Sequence, residues 1–391
     1  MQPLSGIRVL DLTTLVPGPI ATLALAEAGA NVIKVERPGG DEARGYEPRA
    51  GSDSGIFAIL NRGKRSIVLD LKSPEGVDRL KRLVADADVL VEQFRPGVMA
   101  RLGVSYDILS RINKRLIYCA ISGYGQTGPL SVVAAHDLNY VAESGMLSLV
   151  TTADGTPPLP PALIADIAGG SYPAIINILM GLLQRERSGQ GCYIDVSLAE
   201  NVLPFLYAAI VQQQINGLGP RPGGEMTTGG SARYQIYRTA DDRFLSVAPV
   251  EDRFWLNFCD RIGLLGKDRD DELDPAKTSA QIAARIREKT AAEWGSIFSG
   301  HDVCVAVVAT IDEALKSEHF RVRGVFDKKV RAGEVDLIGL PMPFDSRFRS
   351  STASAAYPLL NEAADAGVGK CSIHKEDVQS DPQGRSLHGS I

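Results

Sequence analysis

The sequence predicts an α/β fold in which a large domain built on an open parallel sheet is followed by a smaller α+β domain. Three observations predict it. Short apolar strand patterns alternate with helical ones along the first 125 residues, the signature of repeated βαβ units. A Gly/Pro-rich stretch at 217–230 interrupts the chain, and beyond it the pattern changes to hairpin strands followed by helices. The length, 391 residues, exceeds what a single core usually spans.

The elements follow in order. Residues 7–13 read as a buried strand, 19–29 as an Ala/Leu-rich helix and 31–36 as a second strand. Strands at 66–71, 89–92 and 116–121 then alternate with helices at 74–86 and 105–112, giving an open sheet of Rossmann type. Residues 126–162, rich in Gly, Ser, Thr and Pro, form a surface loop. An apolar helix over 166–187, a strand over 192–197 and a helix over 198–215 complete this part. The smaller domain has strands at 234–237 and 244–250 and helices near 252–264, 278–290 and 311–316. The expected division is a large domain at 1–205, a linker at 206–230, a small domain at 231–322, and a return to the large domain with a C-terminal tail at 323–391. Residues 362–391 lack apolar periodicity and are expected to be poorly ordered.

Composition narrows the function classes. Hydrophobic residues make up 44% and charged ones 23%, with a net charge of −5 and no Lys/Arg block, which argues against a nucleic-acid partner. No run approaches the roughly 18 uninterrupted apolar residues of a membrane span, and the N-terminus enters strand pattern at once, so neither a membrane segment nor a signal peptide is expected. Five cysteines, at 119, 192, 259, 304 and 371, form no C-x-x-C pair and fit reduced thiols of a cytoplasmic enzyme. His, Cys and acidic residues lack metal-ligand spacing, so no metal is expected, and no G-x-S-x-G elbow occurs.

The first βα turn, Thr14 to Pro19, lacks the G-x-G-x-x-G that a nicotinamide or flavin enzyme needs there, although Glu36 imitates the ribose-binding acid. Basic residues stand at successive strand ends instead: Arg37 after the second strand, Lys72 after the third, Arg95 after the fourth, with Arg101 a helical turn further on. Ligands of open α/β sheets bind outside the carboxyl ends of the strands. Together these cations point to a phosphorylated ligand, with Phe94 offering a flat face to a base; singly, each would be a solvated loop charge. His136 lies in a Gly-rich loop beyond a strand end, where a lone histidine is more often structural or merely exposed than catalytic. Asp166 begins an apolar helix and fits both an N-cap and a catalyst; Glu251 could cap the helix starting at 252.

As a set these residues look familiar. Leu4–Leu12 (LSGIRVLDL), Val16–Pro19 (VPGP), Gly29–Asp41 (GANVIKVERPGGD), Asn61–Lys72 (NRGKRSIVLDLK), Phe94–Met99 (FRPGVM), Ile121–Pro129 (ISGYGQTGP) and Glu186–Gly191 (ERSGQG) resemble the class III CoA-transferase family, which includes α-methylacyl-CoA racemases. The resemblance covers about residues 4–360. It implies a large Rossmann-like domain, a small α+β domain and an interlocked homodimer. It also implies coenzyme A as part of an acyl-CoA substrate, with no permanently bound cofactor. The family's CoA contacts map onto Val16, Arg37, Leu69, Lys72, Gln93, Phe94, Arg95 and Arg101, and Tyr140 belongs to the same set.

Within the family the aspartate matching Asp166 serves two chemistries. In transferases it attacks the thioester and becomes an aspartyl-CoA thioester; in racemases it shares acid/base work with a histidine. His136–Tyr140 (HDLNY) resembles the racemase histidine motif, and Val250–Glu251 resembles the glutamate that orients this histidine. The chemistry suits the assignment, because racemisation needs a proton removed from one face of the α-carbon and replaced from the other. Backbone N–H groups at the start of the Asp166 helix are candidate donors to the enolate oxygen. The expectation is a 2-methylacyl-CoA racemase-like enzyme; a CoA-transferase using Asp166 as nucleophile and an inactive CoA-binding protein are the alternatives.

Overall fold

A computed structural model describes residues 2–152, 154–350 and 354–365. Its centre is a six-stranded sheet of β1 (Arg8–Leu12), β2 (Asn31–Glu36), β3 (Arg65–Val68), β4 (Val89–Glu92), β5 (Ile117–Ser122) and β6 (Cys192–Ser197). All pairings are parallel and the spatial order is β3-β2-β1-β4-β5-β6. The α/β prediction holds. Central strands β4 and β5 are buried along their whole length, which is why they read as unbroken apolar runs.

Helices cover both faces. The helix Pro17–Glu27 and the long helix ending at Ser188 form one core with Val9, Val91, Ile117 and Cys119; Leu80, Val84 and Leu109 pack on Leu10, Leu90 and Tyr118 on the other face. The stretch Ala165–Ser188 is long and apolar enough to cross a bilayer by length and composition. One of its faces lies on the sheet through Ala174, Ile178 and Leu182, while Ile176, Leu179, Met180 and Leu183 on the opposite face are exposed.

The second sheet joins β7 (Gln235–Arg238), β8 (Phe244–Val247) and β9 (Val305–Val307), all antiparallel, over a core that includes Trp255, Phe258, Trp294 and Phe298. The helix expected near 278–290 runs over Pro275–Ile286, and a further helix, Ala291–Phe298, was not anticipated. Both starts have a physical cause: Asp274 caps Lys277 N–H ahead of Pro275, and Thr290 with Glu293 forms a capping box. The helix expected over 198–215 is likewise split into a 3₁₀ segment, Glu200–Leu206, containing Pro204, and an α-helix from Tyr207.

A third sheet, β10 (Lys329–Ala332), β11 (Val335–Ile338) and β12 (Ser354–Ala356), packs through Val330 and Ala332 on Ala50 and Ala58, far earlier in the chain. Asn361 then accepts the Val68 N–H along the open edge of β3. Most of the tail expected to lack order, residues 366–391, lies outside the described residues.

Candidate active site

Strand order reverses between β1 and β4, so the loops leaving these two neighbours diverge and open a crevice at their carboxyl ends. A cavity of about 400 Å³ occupies that crevice, lined by Thr14, Leu15 and Pro17 from the turn after β1 and by Gln93, Phe94 and Arg95 from the turn after β4. The two turns are tied together, because Gly18 N–H donates to Gln93 Oε1 at 3.1 Å.

The first turn is held from below by buried charges. Asp11 accepts hydrogen bonds from Thr13 and Thr22 and from Lys64 Nζ at 3.0 Å; Lys64 also reaches Pro19 O. Lys34 Nζ donates to Thr13 O and pairs with Asp41. Burial opposes the ionisation of Asp11, but Lys64, Lys34 and the two hydroxyls overcome it and hold the carboxyl far below its usual range. Burial pulls the Lys64 ammonium down to about 8 against the attraction of Asp11. This network fixes a turn in which Leu15 takes φ +61°, a conformation that costs a non-glycine residue energy.

Asp166 enters the same cavity from the far side. It is not an N-cap. Residues Ala165–Ser171 form a π-helical turn that runs into the α-helix Tyr172–Ser188, and Asp166 sits inside it with Ile164 at the cap position. Such turns recur at functional sites. Here Gly169 permits the turn to lie against the 198 backbone, where a Cβ would stand 2.4 Å from Leu198 O. Ser171 Oγ donates to Pro17 O, linking the π-turn to the first βα turn.

His136 and Tyr140 line the cavity beside Asp166. His136 precedes the helix Asp137–Glu143, and its backbone N–H donates to Asn139 Oδ1. The Tyr140 hydroxyl donates to Ala135 O at 2.8 Å, and burial pushes it up to about 12, so it stays protonated. Its ring closes over Gly123, where any Cβ would collide with it at 2.4 Å.

Two donors expected to serve an enolate are already engaged. The Asp166 N–H donates to Asp137 Oδ1 at 2.9 Å and the Ile167 N–H to Leu163 O. The carboxyl itself is lifted to about 6, first by burial and then by the charge of Asp137, against the pull of His136. Asp137 gave no signal in the sequence beyond its place next to the histidine. Glu92 was missed as well: it lies beneath the β4 turn, accepts the Phe94 N–H at 2.7 Å, and burial pushes it up to about 7.

The residues singled out in the sequence therefore divide. Gln93, Phe94, Arg95, His136, Tyr140 and Asp166 line one cavity. Val16 adjoins it between Leu15 and Pro17. Arg37, Lys72 and Arg101 are exposed past strand ends, and the Arg37 guanidinium pairs with Glu42 at 2.9 Å. Leu69 is 4% exposed and its side chain is in the core, so contact with a ligand there is confined to backbone. Glu251 is exposed at the start of the helix Asp252–Ile262; its side chain caps nothing, and within one chain it does not line the cavity. Among the described residues no cluster of His, Cys, Asp or Glu side chains is placed to hold a metal.

Known proteins resemble the whole chain. The sequence pattern of CoA-transferase family III matches residues 4–364. The alpha-methylacyl-CoA racemase of Homo sapiens is 38% identical over 379 residues, covering 96% of this chain and 95% of the relative. The succinyl-CoA:glutarate CoA-transferase of Mus musculus is 33% identical over 377 residues, covering 93% and 85%. The crystal structure of a CAIB/BAIF family protein from Brucella suis superposes with a TM-score of 0.78 at 28% identity, covering 93% of this chain and 98% of that one. The chain belongs to CoA-transferase family III.

Proposed function

We propose that the protein is a 2-methylacyl-CoA racemase-like enzyme that exchanges the α-proton of a CoA thioester between Asp166 and His136. The observation that carries this reading is the placement of both side chains on one cavity, with the Asp166 carboxyl lifted to about 6. A racemase needs one acid and one base that can trade roles, and a carboxyl lifted to about 6 takes up a proton more readily than an ordinary carboxylate. Arg95 at the cavity, with Arg37, Lys72 and Arg101 past neighbouring strand ends, supplies the positive charge that the phosphates of coenzyme A require. Glu251, which does not line the cavity of its own chain, would reach His136 from a second copy in an interlocked homodimer.

A CoA-transferase reaction is the second reading. It is favoured by transferase relatives at 33–34% identity and by an Asp166 carboxyl that opens on the cavity and is ionised above about pH 6. There the carboxylate attacks the thioester carbonyl, expels CoA thiolate and passes through a mixed anhydride. Incubating a 2-methylacyl-CoA in deuterated water, with and without an acceptor acid, separates the two. Deuterium at the α-carbon without acceptor supports the racemase. Acceptor-dependent thioester exchange, with Asp166 trapped by hydroxylamine and no α-deuterium, replaces it with the transferase.

A further inference from the structure

We propose that Asp137 is a positioning residue for Asp166, clamping the backbone of the π-turn and presenting a fixed negative charge to the carboxyl that moves the proton. The inference rests on the racemase reading for its kinetic consequence but not for its geometry. The first N–H groups of a helix have no partner within it, and the usual remedy is a Ser, Thr or Asp at the cap position. Ile164 occupies that position and offers no side-chain acceptor. The acceptor comes instead from 29 residues upstream, where Asp137 Oδ1 takes the Asp166 N–H at 2.9 Å. Asp137 is 6% exposed, so its carboxylate meets little competing water. It also suits the positive end of the helix that follows.

The consequence is geometric. Asp137 is covalently next to His136, whose own N–H is fixed by Asn139 Oδ1. One hydrogen bond on each side therefore sets the spacing between the two acid/base groups. The charge adds to this. The titratable and charged groups facing Asp166 from the Asp137–Glu143 side are His136, Asp137 and Tyr140, with Arg95 near Tyr140 across the cavity. From the 200–206 segment Asn201 binds Gly169 O and Glu200 stands at its start; Asp195 of β6 is engaged by the Gln126 N–H. The helix Pro17–Glu27 carries no acid in its first turn and meets the π-turn through Pro17, and Ser171 meets Asp166 through its backbone carbonyl. Asp137 is the negative charge in this set that opposes ionisation of Asp166.

Two substitutions separate clamp from charge. Asp137→Asn keeps an acceptor oxygen and removes the charge. It is expected to lower the plateau kcat by no more than about fivefold, and to move the acid limb of kcat/KM down by roughly half to one pH unit. Asp137→Ala removes both, and kcat is expected to fall about tenfold or more with KM little changed, the pattern of lost alignment. An infrared difference titration of the Asp166 carboxyl, against an Asp166→Asn control and without substrate, reads the charge effect independently of turnover; it also decides the matter if Asp137→Ala does not fold. A lower midpoint in Asp137→Asn supports the proposal even in a protein that shows no α-exchange, an outcome that removes only the racemase reading. An unchanged midpoint, or Asp137→Ala with wild-type kcat and pH profile, overturns it.

Discussion

Asp166 is ionised at neutral pH in a half-buried site beside Asp137, an arrangement that costs the fold stability and suits the proton-transfer role proposed for it. Its carboxyl titrates near 6 in the folded chain and near 3.8 when unperturbed. The folded state therefore holds the proton more tightly, and stability falls as pH rises from about 4 through about 6, then levels off. Asp166→Asn removes the cost. Allowing for solvent screening of a half-exposed group, the variant is expected to be more stable by about 1–2 kcal/mol at pH 8. The advantage should vanish near pH 4, as urea unfolding at the two pH values will show. The same substitution, like His136→Asn, is expected to lower α-proton exchange by about 10²–10⁴-fold. The wild-type exchange rate should fall on the acid side through about pH 6, where Asp166 gains its proton.

The turn after β1 is the element on which the site depends, and it is kept in place by charges that water does not reach. Lys64 is 3% exposed and Asp11 is fully buried, so removing either leaves the other unpaired in the core. Lys64→Met is expected to destabilise the protein by about 3–5 kcal/mol, read as a lower urea midpoint with an unchanged slope. This element also marks how far sequence reasoning reaches. The alternation of strands and helices and the end-of-strand cations were legible, because periodicity and strand-end position are local properties; His136 and Asp166 were paired only through the family resemblance, since 30 residues separate them. The π-turn was not, since Ala165–Ser171 has the composition of any apolar helix start. Asp137 was passed over because its partner lies 29 residues away, and the third sheet because β10 and β12 are short and find their packing far back in the chain.

For the molecule as a whole, apolar surface is left uncovered in one chain. Ile176, Met180 and Leu183 on the long helix and Tyr207, Val211 and Ile215 on the next are exposed, and a second cavity of about 490 Å³ is lined by Ala24, Tyr172, Ile175, Leu179, Phe344 and Phe348. Surfaces of this kind favour association, in keeping with the homodimer proposed above and with Glu251 acting on a neighbour's His136. Co-expressing Asp166→Asn and Glu251→Gln chains, so that mixed dimers form as the chains fold, tests the second point. If Glu251 acts across the dimer, each mixed dimer regains one intact site and activity returns; if it acts within its own chain, none returns. The central claim, that one of Asp166 and His136 removes the α-proton and the other delivers a new one to the opposite face, is tested most directly with the two resolved isomers of a 2-methylacyl-CoA. Each is incubated separately in deuterated water without acceptor acid and followed by mass and chirality. The account predicts that both isomers converge on the same mixture while gaining one α-deuterium. Isomers that keep both their configuration and their α-hydrogen, while CoA moves to an acid once one is added, would contradict it.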